Sequence, residues 1–189
     1  MKKVGLFVCI LAAMTLSASG QMLITFNDMP SVDHPAVMPD NYPTSTYLNW
    51  ENFFYVSPAM WNGSGPGFFT GPDLRVAFVG GPMCELQPSV CYGSIKLGVA
   101  PNSTATFQPL SITLAAGWAP NNVEVLGFNK SQYLGRITWK LTLKAHQYFF
   151  PDKWTNVTQL ILYPTPTQGS AIGKAGSFVA YTFYLNMNQ

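Results

Sequence analysis

The chain has 189 residues, 48% of them apolar, 14% aromatic and 10% charged, with a formal net charge of +2. Apart from the adjacent Lys2 and Lys3, its ten basic residues are scattered rather than run together, which excludes an electrostatic footprint for nucleic acid or an anionic membrane surface. The length suits one domain that is large enough to bury a real core.

Residues 1–20 read as an export signal in three zones. Lys2 and Lys3 form a positive start, and Val4 to Leu16 an uncharged apolar run. Ser17-Ala18-Ser19-Gly20 then puts Ala18 and Gly20 where signal peptidase accepts small residues. Cleavage leaves Gln21 as the mature N-terminus and residues 21–189 as a single domain, expected to be secreted. The apolar run falls short of the ~20 residues a membrane-spanning helix needs, and no later segment is long and apolar enough. Two of the ten basic residues lie in the signal, so eight basic residues face eight acidic ones in the mature chain.

Beyond the signal the chain alternates short apolar runs with turns. The runs fall at 23–26, 52–56, 74–79, 94–99, 110–115, 123–128, 159–163 and 178–185. The clearest is Arg136 to Lys144, with Ile137, Trp139, Leu141 and Leu143 on one face and Arg136, Thr138, Lys140, Thr142 and Lys144 on the other. That period of two predicts a half-buried strand. Pro101-Asn102, Pro120-Asn121-Asn122 and Pro164-Thr165-Pro166 supply turns between runs. Many short strands without an intervening helical period predict an all-β, antiparallel β-sandwich. Pro30 to Tyr47 and Ser57 to Pro72 read as long irregular loops, the second carrying Trp61, Phe68 and Phe69.

Cysteine usage agrees with export. Cys9 lies in the signal, so Cys84 and Cys91 form an even pair, read as one disulfide. It would close the loop Glu85 to Val90 and stabilise by about 2–3 kcal/mol on the loop-entropy account. Asn-X-Ser/Thr sequons stand at Asn62, Asn102, Asn129 and Asn156, each beside a turn or strand end, which predicts a glycoprotein.

Three segments carry a family resemblance. Ile24-Thr25-Phe26-Asn27-Asp28-Met29-Pro30, Met38-Pro39-Asp40-Asn41-Tyr42 and Tyr47-Leu48-Asn49-Trp50-Glu51-Asn52-Phe53 resemble an "ITFDDL … vPngY … gLnWsNF" pattern of secreted microbial proteins. The stretches Leu110 to Trp118 and Val123 to Phe128 resemble later strands of the same proteins. The resemblance implies a jelly-roll sandwich of galactose-binding-like, carbohydrate-binding-module-like type. Asn27 stands where those proteins usually have an acid, and the last strand, 178–183, lacks their Asp-Asn pair.

The chemistry points away from catalysis. Mature histidines are limited to His34 and His146, no G-x-S-x-G elbow is present, and both cysteines are expected to be paired. The carboxylates Asp28, Glu51, Asp73, Glu85, Glu124 and Asp152 form no visible acid/base constellation. His34, between Asp33 and Pro35, reads as a solvated loop histidine. Asp28 is a candidate ligand for a structural calcium ion, a hard cation that wants 6–8 oxygens; the plainer reading is an Asx turn into Met29-Pro30. Aromatic platforms edged by amides suit sugars, and Tyr42, Tyr47, Trp50, Trp61 and Phe68, with Asn41, Asn49 and Asn52, offer them. Each aromatic also has a plainer reading as core or lid, Trp50 and Phe53 above all. The chain is therefore expected to be a non-catalytic binding module for carbohydrate or a cell-surface polymer. Failing that, it is a structural or extracellular interaction protein, and third a polysaccharide-acting enzyme.

Overall fold

The computed structural model describes residues 20–44, 46–57, 76–79, 95–117, 119–166 and 177–188. Within them the chain is all β, with no helix, and its strands form two sheets. In chain order these are β1 (Gly20–Ile24), β2 (Ala36–Val37), β3 (Leu48–Glu51), β4 (Phe54–Val56), β5 (Val76–Val79) and β6 (Ile95–Val99). There follow β7 (Thr106–Ala116), β8 (Asn121–Asn129), β9 (Gln132–Leu141), β10 (His146–Phe149), β11 (Gln159–Pro166) and β12 (Phe178–Asn188). Every pairing between named strands is antiparallel, and the two sheets pack face to face as a sandwich.

One sheet has seven strands in the order β10-β7-β12-β5-β4-β2, with β1 also paired to β12. The other has five, in the order β3-β6-β11-β8-β9. β12 organises the first sheet. One of its edges follows β7 along its length, while the other is shared by β5 at Phe178–Ala180 and β1 at Phe183–Met187. Tyr181 is an extra residue on β12 opposite Leu114 and Thr113, and Leu110 is an extra residue on β7 between Ser111 and Pro109. Such bulges twist a strand locally and let two long neighbours stay paired.

The strict period of two decides which side chains meet. The register neighbours Tyr148, Ile112, Phe183 and Ile24 point from the seven-stranded sheet into the core. Trp50, Leu97 and Leu160 form a matching row on the five-stranded sheet. Aromatic edges fill the middle: Phe183 stands T-shaped to Trp50, Phe107 and Phe150. One open side between the sheets is closed by Tyr148 of β10. Its ring lies 5.3 Å from that of Trp139 on β9, and its hydroxyl donates to the Lys140 carbonyl at 2.8 Å.

Most expected strands are present with shifted ends. The 136–144 run begins earlier and stops at Leu141, so Leu143 lies outside β9 and is exposed rather than inward. The stretch 30–47, expected to be irregular, contains β2, and β3 and β10 are additional strands. All three are four residues long or fewer, too short to display a period.

Candidate functional site

The two sheets differ sharply in charge. None of the seven strands β1, β2, β4, β5, β7, β10 and β12 contains Asp, Glu, Lys or Arg. The five-stranded sheet carries Glu51, Lys96, Glu124, Arg136 and Lys140, and it pairs four of them on its outer face. Lys96 meets Glu51 at 2.8 Å, and Arg136 meets Glu124 at 3.3 Å. Lys140 is exposed on β9, as expected for a solvated strand face, whereas Lys144, also exposed, lies beyond the end of that strand.

Among the described residues, nothing covers the outer face of the seven-stranded sheet over β10, β7, β12 and β1. Strand pairing brings Phe149, Ser111, Tyr184 and Leu23 into one row, a residue from each strand. Phe149 is 67% exposed and Leu23 58%, while Ser111 is buried between its neighbours. On one side of this row lie Gln147, Thr113 and Thr182; on the other lie Gln108, Asn186 and Gln21. The polar side chains are tied across the strands. Gln147 Nε2 donates to Ser111 Oγ at 2.8 Å, Thr182 to Thr113 at 2.8 Å, Tyr184 to Gln21 at 2.6 Å and Asn186 to Gln108 at 3.1 Å. Side chains held this way keep their positions before any ligand arrives, which lowers the entropy lost on binding. Asn186 keeps a side-chain oxygen without a partner. The result is a rigid surface of amides and hydroxyls with two exposed apolar side chains and a tyrosine in one row.

Three residues singled out in the sequence come together elsewhere. The Asp28 carboxylate accepts the Tyr42 hydroxyl, and the Tyr42 carbonyl accepts Trp50 Nε1 at 2.6 Å. Phe26 stacks on Tyr42 at 5.8 Å and meets Trp50 edge-on at 5.5 Å. Phe26 holds φ at 58°, which turns the chain out of β1, and Met29 N closes the turn by donating to the Phe26 carbonyl at 3.1 Å. Tyr42 is 6% exposed and Trp50 3%. The rings are covered on both sides, which corrects the expectation of sugar platforms at these positions: they belong to the core. Burial, then the bond to Asp28, holds the Tyr42 hydroxyl well above the usual phenol range, so it stays a donor. One oxygen of the Asp28 carboxylate is thus engaged by Tyr42, in keeping with a structural role for this residue. Among the described residues no three His, Cys, Asp or Glu gather for a metal.

The remaining candidates lie apart from the open face. Asn49 is on β3, in the other sheet, half-buried and with its side-chain oxygen unpartnered. Tyr47, 51% exposed, borders a hollow of about 310 Å³ with Asn102, Ser103 and Thr104. A second hollow of about 400 Å³ shares Ser103 and Thr104 with the first and includes Lys130 and Thr158. Asn102 lines the first hollow, and Lys130 and Thr158 of the second are sequence neighbours of the sequons at Asn129 and Asn156. His34 is exposed and lies 2.6 Å from Asp33, whose carboxyl it holds below the usual range. Trp61, Phe68, Asn62, Cys84 and Cys91 lie outside the described residues.

The open face escaped sequence reasoning, although part of its signal was there. From Thr182 onward, Thr182, Tyr184, Asn186 and Asn188 alternate with the buried Phe183, Leu185 and Met187. That is a strand with an outer face of hydroxyls and amides and no charge.

No family model matches the sequence, and no curated protein matches it. Among solved structures, the chain is similar to the crystal structure of a DUF4465 family protein from Bacteroides caccae. The TM-score is 0.52 at 10% identity, over 95% of this chain and 97% of that one. At so low an identity the likeness concerns the fold alone.

Proposed function

We propose that this protein is a secreted, non-catalytic carbohydrate-binding module of jelly-roll type, exported through a leader cleaved after Gly20. The observation that carries the reading is the open face of the seven-stranded sheet. Sugars offer apolar C–H faces edged with hydroxyls, and they are recognised by aromatic or aliphatic surface flanked by fixed amides and hydroxyls. Phe149, Tyr184 and Leu23 supply the first, and Gln21, Gln108, Gln147, Thr182 and Asn186 the second.

A second reading draws on the same row. Phe149 projects from β10, an edge strand, and an exposed aromatic at a sheet edge also suits a protein partner in an extracellular structural role. The two are separated by a glycan-array screen of the purified chain, run with calcium and again with a chelator. Selective binding that disappears in a folded Tyr184→Ala variant and is indifferent to the chelator is expected. Silence across the array, with circular dichroism showing an intact β fold, would move the assignment to protein interaction.

A further inference from the structure

We infer that the open face, if it binds carbohydrate as proposed above, takes a neutral glycan laid across the strands, with one sugar ring seated over Ser111 between Phe149 and Tyr184. Two observations beyond the general character of the face support this.

The first is the partition of charge. The strands of this sheet hold no Lys or Arg, whereas every Lys and Arg within a strand lies on the other sheet. The one histidine of these strands, His146 of β10, stands in the register row of the buried Leu114 rather than on the outer face. An acidic polymer such as a uronan or a sulfated glycan would have to shed water from its anions here and meet no cation in exchange. An unpaired charge loses more on desolvation than hydrogen bonds to amides return. A neutral hydroxyl has no such cost, and the amide and hydroxyl groups of this face can both donate to it and accept from it.

The second is the register. Neighbouring strands lie about 4.8 Å apart, so the row from Phe149 to Leu23 runs about 14 Å at right angles to the strands. Ser111 is the smallest residue in the row and sits between its two aromatics. Phe149 and Tyr184 are therefore about 10 Å apart at the backbone, with only Ser111 and the Gln147 amide that donates to it between them. Amides and hydroxyls line both sides of this row: Gln147, Thr113 and Thr182 on one side, Gln108, Asn186 and Gln21 on the other. A chain lying along the row meets apolar surface beneath and polar partners on both flanks. A chain lying along a strand would cross from one polar row to the next and touch the apolar row once.

Affinity gel electrophoresis tests this, with xylan, mannan or mixed-linkage β-glucan in some gels and polygalacturonate or alginate in others. Retardation by at least one neutral polymer, by neither acidic one, and unchanged on adding salt is the expected pattern. Phe149→Ala, an exposed edge position, is expected to weaken it about tenfold or more. Ser111→Gln, which fills the seat, should do the same, while Lys140→Ser on the other sheet should leave it intact. Retardation by an acidic polymer that fades with salt overturns the neutral class but leaves carbohydrate binding standing. Neutral binding that survives both Phe149→Ala and Ser111→Gln overturns the seat. Silence in every gel from a folded protein removes the carbohydrate reading itself, and this inference with it.

Discussion

The indole of Trp154 lies so close to Gly127 that a Cβ at position 127 would stand 2.9 Å from its Cε3. Gly127 pairs with Gly135 across β8 and β9, and the two bare backbones form a floor for a tryptophan that is 1% exposed. Through this contact the loop between β10 and β11 is fastened to the inner side of the five-stranded sheet, with Phe150 packed 6.1 Å from the same ring.

Gly127→Ala is therefore expected to destabilise the protein by about 1–3 kcal/mol, since the added methyl must displace a ring that fills its space. Trp154→Ala should lose about 3–5 kcal/mol, as large buried aromatics do. In a Trp154→Ala background the Gly127→Ala penalty should shrink or vanish, because the two residues share one space. Urea unfolding of the two single variants and the double would measure this, and simple additivity would show that the contact does not hold the loop.

How far these features could be read in advance depended on whether they are local. The 136–144 alternation places β9 because nine consecutive residues display a period, and it fails at Leu143 because the chain turns after Leu141. β2, β3 and β10 are too short to have a period at all. Trp50 reads in the sequence as more at home in the core than in a site, and it is 3% exposed. The Phe149-Ser111-Tyr184-Leu23 row was not legible, because its members are far apart in sequence and only strand register brings them together. A period of two tells which residues share a face of one strand, never which residue on the next strand lies opposite.

The Asp28–Tyr42–Trp50 chain leads to a warning about mutagenesis of the apparent aromatic site. Tyr42→Phe keeps the ring and loses one hydrogen bond to a charged acceptor, an expected cost of about 1.5–3 kcal/mol. Trp50→Ala removes a ring that meets Phe26, Phe53 and Phe183, and it leaves the Tyr42 carbonyl without its donor; about 3–5 kcal/mol should be lost. Glycan binding measured at equal folded fraction should be unchanged in Tyr42→Phe. A Tyr42→Phe protein as stable as the parent but deficient in binding would put this cluster back into a ligand site.

Buried phenols make alkaline pH the condition under which the fold weakens. Burial pushes the Tyr181 hydroxyl up to about 12 from 10.0, and burial together with the bond to Asp28 raises Tyr42 as well. Tyr148 moves the same way, from burial alone. The folded chain thus keeps protons that the unfolded chain releases. Below about pH 10 both states are protonated and this contribution is fully present. Above it the unfolded state binds fewer protons, so stability falls as pH rises through the folded values. The urea midpoint should stay level from about pH 8 to 9.5 and then decline steeply towards 11. A Tyr42→Phe, Tyr181→Phe double variant, which has no proton to lose at either position, should start lower and decline less. If the parent and the double variant fell along parallel curves, the loss would have to come from groups other than these two phenols.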